Sequence, residues 1–114
     1  MRILHLDQNH EYLSSELKKL GFENHYDYNS SKDEILEKID DYVGIIIRSR
    51  IIIDDEIIKS ANKLKFIARI GAGLENIDIV SAKKNNIQVL SAGEANSNAV
   101  GEHAIGMLLN LLNN

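Results

Sequence analysis

The hydrophobic residues of this chain gather in five short clusters, and apolar residues recur at helical spacing in the segments between them. The clusters do not alternate with polar residues, which is typical of strands buried on both faces. The segment 12–20 places its apolar side chains on one face of a helix, and Gly21 ends that helix. The predicted strands cover residues 3–6, 22–28, 43–47, 64–70 and 87–90.

Helix-capping residues predict a helix in each segment that follows a predicted strand. Ser30 or Ser31 caps a second helix, Asp54 or Asp55 opens a third, and further helices are expected over 77–84 and 99–114. Five repeats of strand and helix predict an α/β fold with an open parallel sheet and helices on both faces. Right-handed crossovers favour a flavodoxin-like strand order of 2-1-3-4-5.

Composition narrows the class of protein. The 114 residues suffice for one domain, and 44% apolar with 26% charged residues excludes a disordered or low-complexity chain. No cysteine is present, which excludes disulfides and thiolate chemistry, and the scattered histidines show no metal-ligand spacing. A net charge of -4 gives no electrostatic reason to expect nucleic acid or an anionic membrane as partner. No apolar run is long enough to span a bilayer or to serve as a signal peptide, so we expect a cytoplasmic protein.

Two arginines flank a serine at the end of the third predicted strand. Ligand sites in parallel sheets lie outside the carboxyl ends of the strands, which is where Arg48, Ser49 and Arg50 fall. Guanidinium groups match the geometry of carboxylates and phosphates, and the serine adds a hydroxyl donor. The pattern favours an anion site, with a solvated strand end as the alternative.

A glycine turn follows the fourth predicted strand. Gly71, Ala72 and Gly73 allow the main chain to approach a ligand closely, and N–H groups before a helix attract anions. Glu94 superficially completes a dinucleotide-binding pattern, but Asn76 replaces the third glycine and the turn does not follow the first strand. A small carboxylate fits better than a pyrophosphate, and a plain tight turn remains the alternative.

The last predicted helix is apolar around more than one stripe, whereas a surface helix has a narrower apolar face. Two interpretations stay open: the helix packs against more protein, or it is buried between copies of the chain. The second predicts homo-oligomers through residues 99–114. Glu102 and His103 are adjacent on this helix and point in different directions, so they do not form an acid–base pair.

Three segments together resemble a known family. These are 48–50 (RSR), 65–78 (KFIARIGAGLENID) and 99–104 (AVGEHA), and they resemble the N-terminal part of the D-isomer-specific 2-hydroxyacid dehydrogenases. The resemblance covers almost the whole chain and is most specific in its second half. It implies a flavodoxin-like substrate-binding domain over 1–98 and a helix over 99–114 that leads to a separate NAD-binding Rossmann domain.

The family also implies roles for particular residues. The main chain of Gly71, Ala72 and Gly73 would hold the substrate carboxylate, and Asn76 would pin this turn. Arg48, Ser49 and Arg50 would face a small phosphorylated 2-hydroxy acid, which favours members that oxidise 3-phosphoglycerate at the start of serine synthesis over those acting on lactate, glyoxylate or hydroxypyruvate. The predicted hinge residues near the nicotinamide are Asn96, Val100 and Glu102.

The same resemblance implies what the chain lacks. The family's catalytic residues and glycine-rich NAD loop belong to the second domain, so no catalytic residue is assigned here and no NAD is expected to bind this chain alone. We therefore expect an oxidoreductase in the whole protein and no activity from these 114 residues. Gly93 stands where the family usually has proline, which loosens the hinge loop. A stand-alone anion-sensing module of the same fold is the alternative.

Overall fold

Five parallel strands form the sheet of this protein. The computed structural model describes residues 1–8, 11–71, 74–91 and 106. Neighbouring strands pair in the order β2-β1-β3-β4-β5, and every pairing is parallel. This confirms the predicted fold class and strand order. The strands are β1 (Arg2–His5), β2 (Glu23–Tyr26), β3 (Gly44–Ile47), β4 (Phe66–Arg69) and β5 (Gln88–Ser91).

Four helices connect the strands in the described part of the chain. They are α1 (Glu11–Lys19), α2 (Lys32–Lys38), α3 (Asp55–Ser60) and α4 (Ile79–Lys84), and a 3-10 helix (Ile39–Asp41) follows α2. The expected helix over 99–114 lies outside the described residues, except for Gly106, which is helical.

Three predicted strands, over 22–28, 43–47 and 64–70, are longer than the observed ones. Phe22, Leu64 and Ile70 are buried, yet they lie beyond the strands to which the pattern assigned them. The helix predicted over 77–84 begins two residues later, because Ile77 forms a parallel bridge with Ile53 and the next residue caps the helix. Burial therefore extends beyond hydrogen-bonded secondary structure, and hydrophobicity alone overestimates element length.

The sheet carries a hydrophobic core on each face. Along β3, Ile45 and Ile47 enter one core, which α2, α3 and α4 cover, whereas Ile46 enters the other. Leu13 and Leu17 of α1 pack into this second core. Helices thus cover both faces of the sheet, as predicted. The ends of the strands are the part of the sheet where a ligand could bind.

Side-chain caps fix where the helices start. Ser31 caps α2 in a capping box with Glu34, and Asp54 caps α3 by accepting the N–H of Ile57. Lys32 reaches from α2 to the carboxylates of Asp54 at 2.7 Å and Glu56 at 2.6 Å. These hydrogen bonds raise the pKa of Lys32 above its ordinary value. Polar contacts therefore join the amino ends of α2 and α3.

His5 is a fully buried polar residue of β1. Its Nε2 lies 2.8 Å from Oδ1 of Asn24, while Nδ2 of Asn24 donates to the carbonyl of Ser14 at 2.9 Å. The second bond orients the amide, so Nε2 of the neutral imidazole carries the proton. Burial lowers the pKa of His5 below 6.5, and the hydrogen bond that His5 donates to Asn24 opposes this only in part.

Acidification is expected to destabilise the protein through His5. Below 6.5 the unfolded chain binds a proton at His5 that the folded chain resists, so the free energy of unfolding falls as the pH drops from 6.5 towards the lowered pKa. The stabilisation is fully present above 6.5, and the slope is at most about 1.4 kcal/mol per pH unit. Urea unfolding of the protein and of His5→Gln from about pH 5 to about pH 8 measures it. The variant should show the shallower slope, and equal slopes would contradict the assignment.

Candidate functional site

The carboxyl ends of the strands bring the polar residues of interest to one edge of the sheet. Asp7 follows β1, the 48–50 segment follows β3, and Gly71 follows β4. The register pairs Ile47 of β3 with Arg69 of β4, and Arg69 with Ser91 of β5. This is the edge at which open parallel sheets bind ligands.

Asp7 folds the segment that follows β3. Its Oδ2 accepts the main-chain N–H of Arg48 at 2.6 Å and that of Arg50 at 3.3 Å. A charged acceptor strengthens such bonds relative to neutral ones. Asp7 was not among the site residues predicted from the sequence. The available signal was an aspartate closing a strand that the predicted order places beside β3.

Arg50 is held by main-chain carbonyl groups. Its Nε donates to Leu6 at 2.8 Å, and its terminal nitrogens donate to Ser30 at 2.8 Å and Asp27 at 3.0 Å. All three guanidinium nitrogens therefore have protein partners. The side chain ties the end of β1 and the loop after β2 to the segment after β3.

Arg69 places a third guanidinium group at this edge. It is buried, with 9% of its surface exposed, and its Nε donates to the carbonyl of Arg48 at 2.9 Å. Arg48 is half-buried and Ser49 is exposed. Arg69 was not among the site residues predicted from the sequence, although an arginine that ends a buried strand two residues before Gly71 indicates a polar role there.

Gly71 has a backbone conformation that favours glycine. Its φ is +143°, and a Cβ at this position would lie 3.2 Å from Nη1 of Arg69. Its carbonyl accepts the hydroxyl of Ser91 at 3.2 Å. The start of the predicted turn is therefore packed against a guanidinium group. Ala72 and Gly73 lie outside the described residues.

Asn76 fastens the segment after β4 to the segment after β3. Its Nδ2 donates to the carbonyl of Ser49 at 3.2 Å, and its carbonyl accepts the N–H of Ile53 at 2.7 Å. The structure thus brings together Arg48, Ser49, Arg50, Gly71 and Asn76 at one edge. The expected hinge residues Asn96, Val100 and Glu102 lie outside the described residues.

The chemistry of this edge suits an anion. Arg48, Arg50 and Arg69 bring three basic residues to this edge, together with the carboxylate of Asp7, in a chain whose net charge is -4. Within the described residues, no three His, Cys, Asp or Glu side chains are grouped so that they could hold a metal ion. No helix in that part of the chain is long and apolar enough to cross a membrane.

Residues 3–106 match the family described as D-isomer specific 2-hydroxyacid dehydrogenase, catalytic domain. Because the match extends over most of the chain, the protein belongs to this family. The resemblance found in the sequence is therefore confirmed, and the fold agrees with it.

Similar proteins make the comparison more specific. The chain is 33% identical to a D-3-phosphoglycerate dehydrogenase of Archaeoglobus fulgidus, over 96% of this chain and 21% of that protein. It is 38% identical to a hydroxypyruvate reductase of Thermotoga maritima, over 68% of this chain and 26% of that protein. The NAD+-bound 3-phosphoglycerate dehydrogenase of Entamoeba histolytica superimposes with a TM-score of 0.75 at 35% identity, over 95% of this chain and 38% of that one. The chain thus spans only a fraction of the length of these relatives.

Proposed function

We propose that this chain is the substrate-binding part of an NAD-dependent dehydrogenase that oxidises the C2 hydroxyl of D-3-phosphoglycerate, as the entry step of serine biosynthesis. The products are 3-phosphohydroxypyruvate, NADH and a proton. The observation that carries the proposal is the placement of Arg48 and Ser49 at the carboxyl edge of the sheet, where Asp7 accepts the main-chain N–H of Arg48 and Asn76 donates to the carbonyl of Ser49. The phosphoglycerate dehydrogenases among the similar proteins support the choice of substrate.

Each proposed contact follows from the chemistry of this edge. The guanidinium group of Arg48 and the hydroxyl of Ser49 bind the phosphate, and the main chain of Gly71, Ala72 and Gly73 binds the carboxylate. Asn76 keeps the two segments together through the carbonyl of Ser49. Arg50 was predicted to face the phosphate as well, but its nitrogens donate to main-chain carbonyls.

NAD requires residues beyond those described here. The turn after β1 carries Asp7 and Gln8 rather than glycines, and the Asn76 amide donates to Ser49 where a dinucleotide turn has its third glycine. The described residues therefore do not form a dinucleotide-binding turn. NAD would supply the hydride acceptor. We propose that it binds to a domain beyond this chain, and that Asn96, Val100 and Glu102 of this chain lie at the hinge near it. These 114 residues alone should show no turnover.

Steady-state kinetics of a catalytically active protein containing this chain test the proposal. We expect NADH formation from D-3-phosphoglycerate with a kcat/KM at least about 100-fold above that for D-glycerate, which lacks the phosphate, because the charged contacts act only on the phosphorylated acid. Equal kcat/KM values would overturn the proposed substrate.

A second candidate is a reductase for hydroxypyruvate or glyoxylate. The similarity to the Thermotoga maritima hydroxypyruvate reductase favours it, since that identity is also above 30%. Hydroxypyruvate differs from 3-phosphohydroxypyruvate only in lacking the phosphate group, and glyoxylate also lacks the carbon that carries it. Reduction of hydroxypyruvate with a kcat/KM above that for 3-phosphohydroxypyruvate would favour the second candidate.

A further inference from the structure

The guanidinium group of Arg50 could bind an anion, but its contacts are with main-chain carbonyls of the protein. Its Nε donates to Leu6, one terminal nitrogen to Ser30 and the other to Asp27. Bidentate recognition of a phosphate through the side of a guanidinium group needs the Nε–H, and here this donor is used within the protein. The main-chain N–H of Arg50 is also used, by Asp7.

The loop bound by Arg50 is itself held firmly. The carboxylate of Asp27 accepts the main-chain N–H of Ser30 at 2.9 Å and the hydroxyl of the same serine at 2.5 Å. Lys38 at the end of α2 also bonds to Asp27. The carbonyls that accept the Arg50 side chain therefore belong to a loop that its own hydrogen bonds hold in place, so Arg50 is anchored to a well-ordered segment.

The other segment that Arg50 connects is its own, residues 48–50, which we propose to bind the anion. Asp7 holds the main-chain N–H groups of Arg48 and Arg50, and Asn76 holds the carbonyl of Ser49. These bonds couple the three residues to one another, so the Arg50 side chain, which anchors the segment to the loop after β2, positions Arg48 and Ser49 as a unit.

We propose that Arg50 is a positioning residue, which holds the 48–50 segment against the loop after β2, and that discrimination of the phosphate belongs to Arg48 and Ser49. This inference rests on the proposed function for its substrate. It assigns the two arginines of one short segment to different tasks: Arg48 contacts the phosphate, and Arg50 sets where Arg48 stands.

Variants of the active protein separate the two roles. Arg50→Met should lower the kcat/KM for D-3-phosphoglycerate by about 10-fold and leave that for D-glycerate nearly unchanged, because it displaces Arg48 and Ser49, which contact only the phosphate. In an Arg48→Met background the same change should lower the kcat/KM for D-3-phosphoglycerate clearly less, since Arg50 acts through Arg48. An equal loss in both backgrounds would show an independent contact of Arg50 with the substrate and would overturn the proposal.

A measurement without turnover keeps the test independent of the substrate. In the unmodified protein, the Arg50 Nε–H should exchange slowly with solvent and keep its NMR shift during titration with inorganic phosphate, whereas the Arg48 Nε–H shifts. Rapid exchange of the Arg50 signal in the ligand-free protein, or a phosphate-dependent shift like that of Arg48, would overturn the inference. If D-3-phosphoglycerate is no substrate while the Arg50 proton is protected, only the proposed function fails.

Discussion

Replacement of Gly44 by valine is expected to prevent folding. Gly44 and Phe66 face each other in the register of β3 and β4, and a Cβ on Gly44 would overlap the Cζ, Cε1 and Cε2 atoms of the ring. Phe66 is fully buried in the core that contains Ile46, so the ring has no solvent to move into. Overpacking costs about 1–3 kcal/mol even for small additions, and valine adds three carbons to a fold whose total stability is about 5–15 kcal/mol.

A double-mutant cycle identifies the ring as the cause. Gly44→Ala should lower the free energy of urea unfolding by about 1–3 kcal/mol, and much less in a Phe66→Leu background, because the smaller side chain leaves room for the methyl group. Gly21→Ala is the control: its φ of +96° makes the change unfavourable, but nothing lies within 4 Å of the added Cβ. Its cost should not depend on Phe66. Equal costs of Gly44→Ala in both backgrounds would contradict the packing described here.

Loss of the Arg48 guanidinium group is expected to cause the largest functional defect. In an active protein, Arg48→Met should lower the kcat/KM for D-3-phosphoglycerate by about 10- to 100-fold, because hydrogen bonds to charged groups contribute about 1.5–3 kcal/mol. The kcat/KM for D-glycerate should change little. Spectrophotometric NADH formation with both acids measures the difference.

A matched change of charge controls for long-range electrostatics. Lys65 is an exposed cation that precedes β4 and therefore lies at the amino edge of the sheet, opposite the site. Lys65→Met removes the same unit of charge and should leave both kcat/KM values nearly unchanged, because exposed charges far from a ligand are screened by salt. If Arg48→Met affected both acids equally, Arg48 would not be the phosphate contact.

The strand order was predictable because crossover connections between parallel strands of one sheet are right-handed. The helix caps were less so, since both Ser30 and Ser31 have the right chemistry. The structure uses Ser31 because Glu34 completes its capping box, while Ser30 bonds to Asp27. In the local sequence only the three-residue spacing from Ser31 to Glu34, a capping-box signature, separates the two serines.

The candidate site was predictable only where the residue types of a single segment indicate its chemistry. Arg48 and Gly71 follow strands that the predicted order places side by side. The role of Asp7 was not predictable, because it depends on a contact with the main chain of Arg48, which lies 41 positions away in the sequence. The binding of Arg50 to three carbonyls was equally hidden, since carbonyl groups have no signature in sequence.

A crystal structure of an active protein containing this chain with D-3-phosphoglycerate bound would test the proposed substrate contacts most directly. We expect the phosphate within hydrogen-bonding distance of the Arg48 guanidinium group and the Ser49 hydroxyl, the carboxylate against the main chain of residues 71–73, and Arg50 still bonded to Leu6, Asp27 and Ser30. A substrate phosphate bound elsewhere, with Arg48 not in contact with it, would contradict both the proposed phosphate site and the proposed substrate.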